Sequence, residues 1–189
     1  GAYAYSGTTN VNPGSTLQFG ATSSVSGFFP YSRLNLRDAN ALFNLNGFNG
    51  AVPSLVGSGT IFNSSNTNAA LSVGLDNTNT VFSGSIQRFS DSTGYAGSTG
   101  LTKVGAGTLT LTGSSNSQGA LTISRGTVVL EGSLGSLSFL TNTVQFGGTL
   151  LINNGSSMYA GTSVYSGTYS MANRLAGLGN NAFPGGVLT

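Results

Sequence analysis

The stretch at residues 107–112, Gly-Thr-Leu-Thr-Leu-Thr, decides the fold of this chain. In an extended strand the two leucines point to one side and the threonines to the other, as in a strand with one buried face. Short runs of this kind, bounded by Gly, Asn or Ser, recur at residues 16–19, 42–45, 70–73, 80–83, 120–124, 127–130 and 149–152. The pattern predicts an all-β fold. Residues 170–178 alone follow a helical period, which predicts one short helix.

The spacing of the strands indicates how they are arranged. Three strand starts follow a glycine, at Thr108, Thr127 and Thr149, so a similar interval separates each start from the next. The interval is roughly 20 residues, which is typical of stacked coils, whereas a β-sandwich shows turn signals about every 8–12 residues. The spacing therefore predicts a parallel β-helix, or solenoid, with roughly 20 residues per coil.

A longer repeat is also visible. Residues 5–17 match residues 117–128, and residues 42–47 match residues 149–155. We therefore interpret residues 1–189 as one β-helix segment with about one and a half copies of a unit of roughly 110 residues, cut at both ends. Because a cut solenoid exposes strand edges, we expect either a longer array or a subunit that stacks end to end.

Composition excludes several classes of function. Only 5% of the residues are charged, and Cys and His are absent, so thiolate and imidazole chemistry is excluded. The net charge of +2 comes from six scattered basic residues, so we expect no nucleic-acid partner. Apolar runs are too short to span a bilayer, and we expect no membrane insertion of this segment. A cysteine-free chain rich in Gly, Ser, Thr and Asn fits an exported bacterial protein.

Residues 101–113, Leu-Thr-Lys-Val-Gly-Ala-Gly-Thr-Leu-Thr-Leu-Thr-Gly, closely resemble the autotransporter-associated β-strand repeat of bacterial passenger domains. The family pattern is approximately L-x-K-x-G-x-G-T-L-x-L-x-G, and Ile123, Gly126 and Val128 match its second half. The resemblance extends over residues 5–155. It implies a right-handed parallel β-helix, exported and displayed outside the cell at the bacterial surface. In such a coil we expect Lys103 and Arg125 to lie on the outside.

Candidate catalytic groups are sparse. The four acids, Asp38, Asp76, Asp91 and Glu131, are spread along the chain, and no pair is close in sequence. We interpret them as turn residues and predict no catalytic residue, no cofactor and no metal site, hence no enzyme. A carbohydrate-binding or carbohydrate-cleaving β-helix stays open as the alternative. Such an enzyme would bring two acids within about 10 Å of each other in a cleft.

Aromatic residues interrupt the repeat in two regions. They are Phe28, Phe29, Tyr31, Tyr159, Tyr165 and Tyr169. They form either an interaction surface or loops packed against the flank of the β-helix, and both interpretations stay open. The sequence thus predicts an extracellular structural or adhesive segment of a surface passenger or self-assembling fibre. Its expected partners are other copies of itself and host or surface glycans.

Overall fold

A computed structural model describes residues 6–20, 32–91, 94–95, 97–131, 136–137, 141–153, 157–158, 161–164, 168–171 and 187–188. The regular elements of these residues are all strands, and among them no helix is long and apolar enough to cross a membrane. The strands are β1 (Gly7–Val11), β2 (Thr16–Gln18), β3 (Ser32–Leu36), β4 (Leu42–Asn44), β5 (Gly50–Val52), β6 (Leu55–Gly57), β7 (Thr60–Asn63), β8 (Ala69–Val73), β9 (Thr80–Phe82), β10 (Ser85–Arg88), β11 (Ser90–Asp91), β12 (Gly94–Tyr95), β13 (Thr99–Lys103), β14 (Thr108–Leu111), β15 (Ser115–Asn116), β16 (Gln118–Ile123), β17 (Gly126–Leu130), β18 (Ser136–Leu137), β19 (Thr141–Val144), β20 (Gly148–Ile152), β21 (Ser157–Met158), β22 (Gly161–Val164), β23 (Thr168–Met171) and β24 (Val187–Leu188).

Three parallel sheets form the walls of a solenoid. Within the described residues, the first sheet has nine strands in the order β1-β3-β6-β9-β14-β17-β20-β23-β24. The second sheet has the order β2-β4-β7-β10-β15-β18-β21, and the third has the order β22-β19-β16-β13-β8-β5. The chain visits the first, second and third sheets in turn and then begins the next coil. The all-β parallel solenoid predicted from the sequence is confirmed, with about 22 residues per turn.

The register confirms the spacing that was visible in the sequence. Thr108 pairs with Thr127, and Thr127 pairs with Thr149, so the three strand starts lie one above the other in the first sheet. Coils differ in length, because the coil from β9 to β14 is longer than the coil from β14 to β17. The longer coil contains the antiparallel hairpin β11–β12, which is inserted between the second and third sheets. Extra residues are therefore accommodated at corners and leave the ladders intact.

Alternation along the strands builds the core. Leu109 and Leu111 of β14 are buried, whereas Thr108 and Thr110 are partly exposed. In the third sheet, Leu71, Leu101 and Leu121 are register partners, and each is at most 1% exposed. Burying one such side chain stabilises the fold by about 1.5–3 kcal/mol. The solenoid is thus held together by continuous columns of aliphatic side chains.

Amide side chains satisfy the backbone at the corners. The Asn44 Oδ1 accepts the backbone N–H of Asn46 at 2.9 Å and that of Ser64 at 3.1 Å. The buried Asn63 accepts a hydrogen bond from the backbone N–H of Gly47 at 2.8 Å and donates to Thr67 O at 2.8 Å. Neutral amides and hydroxyls therefore supply the side-chain hydrogen bonds at these corners, and charged side chains are not needed there.

The prediction of a short helix at residues 170–178 is wrong at its start, because Ser170 and Met171 belong to β23 and pair with Leu151 and Ile152. Its remaining residues lie outside the described part of the chain. The unit of roughly 110 residues stays a prediction. Of its matched segments, β1 belongs to the first sheet and β16 to the third.

Candidate functional site

The lysine of the repeat occupies a corner of the solenoid. Lys103 ends β13, where the chain leaves the third sheet for the first. Its register partners are Val73 and Ile123, which both point inward, so alternation places Lys103 inside as well. Its side chain is 1% exposed, and the expectation that it lies outside is wrong. Arg125 is exposed, as expected.

The ammonium group of Lys103 bends back to the turn that follows the strand. Its Nζ donates to the carbonyl oxygens of Val104 at 2.5 Å, Gly105 at 2.9 Å and Arg125 at 3.4 Å. The first two oxygens belong to its own coil and the third to the next coil along the solenoid. One lysine thereby ties together two successive corners.

The pKa values of Lys103 and Asp76, at this corner, are each shifted by opposing effects. Burial lowers the pKa of Lys103 from 10.5 to about 8, and the carboxylate of Asp76 partly opposes this change. Partial burial acts to raise the pKa of Asp76. Hydrogen bonds from Ser54 and Thr78, with the charge of Arg33, outweigh it and hold the pKa below its ordinary value. Asp76 accepts from the Thr78 hydroxyl at 2.8 Å, which makes it the turn residue that the sequence predicted.

The carboxylates are dispersed over the solenoid. Asp38 and Glu131 follow β3 and β17 at the corner between the first and second sheets. Four strand spacings separate these positions, which amounts to about 19 Å. Asp76 lies at another corner, in an open groove of about 600 Å³ that Arg33 also lines and that contains no second carboxylate among its described residues. The backbone of Asp91 belongs to β11.

No described cluster offers a metal site. Within the described ranges, no group of three or more His, Cys, Asp or Glu side chains could hold an ion. The predicted aromatic surface falls almost wholly outside these ranges, which exclude Phe28, Phe29, Tyr31, Tyr159 and Tyr165. Tyr169 is described only in its backbone, which pairs with Leu150 and Leu188. The aromatic surface therefore stays a prediction.

A polar groove is the feature that the sequence did not reveal. It runs over the outer face of the third sheet, beside the corner with the second sheet, and its volume is about 570 Å³. Its lining comes from four coils and consists of Asn49, Asn68, Ala69, Ala70, Arg88, Ser98, Gly100, Thr102, Gln118, Gly119, Ala120 and Thr122. No carboxylate is among these lining residues. The single charge is that of Arg88.

The repeat itself has a counterpart among known families. Residues 101–130 match the model of the family described as passenger-associated-transport-repeat. The matched segment runs from the middle of β13 to the end of β17, and it therefore includes one full coil together with the Lys103 corner. Comparison with curated proteins and with solved structures gives no match. The resemblance inferred from residues 101–113 is confirmed.

Proposed function

Starting from the passenger-associated-transport-repeat at residues 101–130, we propose that this chain is a non-catalytic structural segment of an autotransporter passenger. Its role is to extend the passenger outward from the bacterial surface and to display other parts of it. The observation that carries this proposal is the first sheet, in which nine described strands follow one another in parallel pairing, coil after coil. The repeat family implies a secreted or surface-exposed protein, which agrees with such a role.

The geometry suits a spacer. Each coil adds one strand spacing of about 4.8 Å to the length of the solenoid, and parallel ladders satisfy the backbone of each coil. Nine strands in one sheet therefore extend over about 38 Å. Because stability in stacked repeats is the sum of coil and interface contributions, such a segment lengthens without needing a larger core.

The positions of the acids support a non-catalytic role. Glycosidases place two carboxyl groups about 5–9.5 Å apart around the scissile bond. Asp38 and Glu131 share a corner but are separated by about 19 Å along the solenoid. Asp76 shares its groove with Arg33 and not with a second acid among the described lining residues. A carbohydrate-cleaving function thus has no described acid pair to support it.

We extend the proposal to self-association. The partner of a terminal coil is another coil of the same kind, either in a longer array or in a second copy that stacks end to end. Among the described strands, β1 and β24 lie at the edges of the first sheet, and an edge strand can accept a further parallel strand, which would give a filament or adhesive fibre. Light scattering and electron microscopy of the purified chain test this extension. Monodisperse single particles at all concentrations would contradict it.

Duplication of one coil tests the spacer role. Residues 108–126 run from one register position to the residue before the next, so a second copy adds one coil in phase. We expect small-angle scattering to show a particle longer by about 5 Å with unchanged cross-section. A second test displays the passenger on bacterial cells with an epitope attached to it. There an added coil should move the epitope farther from the cell surface without loss of secretion.

A turnover assay tests the non-catalytic part of the proposal. The wild-type chain and the Asp76→Asn variant are incubated with pectic, β-glucan and chitin-type polysaccharides, and reducing ends and unsaturated products are measured. We expect no product above buffer from either protein. Product formed by the wild-type chain and lost in the variant would overturn the claim and favour the carbohydrate-cleaving alternative.

A further inference from the structure

The groove on the third sheet has a shape suited to a linear ligand. Ala70 and Gly100 are register partners, and Ala120 O lies 3.3 Å from the position that a Cβ on Gly100 would occupy. These small residues from three successive coils form the floor, which runs parallel to the solenoid axis. The hydroxyl side chains of Thr102 and Thr122 are register partners and form one side of the groove. The polar contacts of this side repeat with the strand spacing of about 4.8 Å.

The opposite side is built from amides whose orientation is fixed. Asn49 Oδ1 accepts the backbone N–H of Ala70 at 2.8 Å, and Asn68 Oδ1 accepts the backbone N–H of Ser98 at 2.9 Å. Because a backbone N–H only donates, the oxygen of each amide must face the protein. The Nδ2 groups of both exposed asparagines therefore remain as donors toward the groove.

Arg88 and Gln118 continue the same side. Arg88 Nη1 donates to Gln118 Oε1 at 2.8 Å. Since a guanidinium group has donors only, this contact fixes the Gln118 amide with its oxygen occupied and its Nε2 available as a donor. Phe89 stacks on Phe62 at 5.5 Å between ring centroids, which anchors the chain next to Arg88. Three neutral amides thus present N–H groups while their acceptor oxygens are already used, and Arg88 places a positive charge beside them.

We propose that this groove binds an extended acidic polysaccharide, with the carboxylates of the sugar accepting hydrogen bonds from Asn49, Asn68 and Gln118 beside the positive charge of Arg88. A side rich in donors selects a ligand rich in acceptors, and charge-assisted hydrogen bonds to carboxylates are about twice as strong as neutral ones. The hydroxyls of Thr102 and Thr122 both donate and accept, which suits the sugar hydroxyls on the other side. A linear chain of pyranose units advances along the floor in steps close to the spacing of the coils. The site is an addition to the spacer role and does not depend on it.

The experiment uses a matched pair of ligands and a matched pair of variants. Short linear oligogalacturonates are titrated into the full chain by calorimetry, and the fully methyl-esterified oligomers serve as the neutral ligand of the same shape. Asn68→Asp keeps the oxygen that accepts the Ser98 N–H but replaces the donor by an anionic acceptor. Asn79→Asp makes the same change at another corner, where Asn79 Oδ1 accepts the Thr108 N–H at 2.8 Å.

We expect the acidic oligomer to bind and the ester to bind at least about tenfold more weakly. Asn68→Asp should weaken binding of the acidic oligomer by about tenfold or more, and Asn79→Asp by less than about twofold. Ala120→Leu, which fills the floor, should abolish binding without lowering the urea midpoint. Absence of binding, equal affinity for the two oligomers, or equal losses in the two Asn→Asp variants would overturn the proposal.

Discussion

Replacement of Lys103 by Met tests what the buried ammonium does to stability. The pKa of Lys103 falls from 10.5 to about 8 because the side chain is buried. Below pH 8 both the folded and the unfolded chain carry this proton, and the folded chain bears the cost of burying the charge. Between about pH 8 and 10.5 the folded chain has released the proton while the unfolded chain still holds it. The free energy of unfolding therefore rises with pH in this window.

The magnitude follows from the same values. A fall in pKa from 10.5 to about 8 corresponds to about 3 kcal/mol. Ala106, in the neighbouring turn, is exposed, and solvent near the charge reduces the effect, so we expect a measured rise of about 1–2 kcal/mol. At pH 7 the Lys103→Met variant loses the hydrogen bonds to three carbonyl oxygens, which costs about 1–3 kcal/mol. The variant also no longer buries a charge, which raises its stability. The loss of hydrogen bonds and the removal of the buried charge therefore oppose each other. The pH dependence is therefore the diagnostic quantity.

Urea titrations at pH 7, 8, 9 and 10 measure this dependence in the parent chain, in Lys103→Met and in Arg125→Met. Arg125 lies at the same corner but is exposed, so its variant controls for the loss of one positive charge. We expect the parent and Arg125→Met to gain stability from pH 8 to pH 10 and Lys103→Met to lack this gain. Apart from residues 103 and 125, the three proteins have the same titratable groups, whose effects cancel in the comparison. An identical pH dependence in the parent and in Lys103→Met would refute the reasoning.

Four further variants test the packing of the coils through their urea midpoints. Asn142→Leu should raise the free energy of unfolding by about 1–3 kcal/mol, because both polar atoms of this buried amide lack a hydrogen-bond partner among the described residues; a loss of stability would contradict this. Gly57→Ala should cost about 3 kcal/mol, because Gly57 has φ +99 and a Cβ would collide with the carbonyl of Leu36. Gly14→Ala, with φ +72 and open space around it, should cost about 1–2 kcal/mol, and equal losses at the two glycines would argue against the collision. Leu109→Ala should cost about 2–5 kcal/mol, and a loss below about 1 kcal/mol would mean that its column is not continuous.

Much of the fold was predictable because a solenoid repeats its own sequence. The spacing of Thr108, Thr127 and Thr149 predicted the register of three strands in the first sheet, since each coil places the same residue above its predecessor. The position of Lys103 was also predictable from alternation, because Leu101 two residues earlier points inward. The wrong prediction for Lys103 came from the general expectation that charged groups lie outside. A long side chain near a corner can be buried along its stem and still bring its ammonium group to backbone carbonyls.

The groove was not predictable from the sequence. Its lining comes from segments as far apart as Asn49 and Thr122, and only the register of the third sheet brings them together. The orientation of an amide also depends on which backbone N–H it meets, and no local pattern around Asn68 specifies Ser98 as that partner. A site made of neutral amides gives no signal of the kind that paired acids or metal ligands give.

Variation in coil length links the architecture to its proposed uses. The ladders tolerate coils of unequal length because the additional residues leave the sheets at corners. The hairpin β11–β12 is such an addition, and it begins close after Arg88, at the edge of the groove. Strand register is constrained by the inward columns, since a shift by one residue would turn every core side chain outward. Corners carry no such constraint. In this fold the number of paired strands in the ladders sets the length of the solenoid, whereas residues at the corners can change without disturbing the core. The donors of the groove lie at such a corner, beside the ladder of the third sheet, so the proposed binding site would require no change in the core.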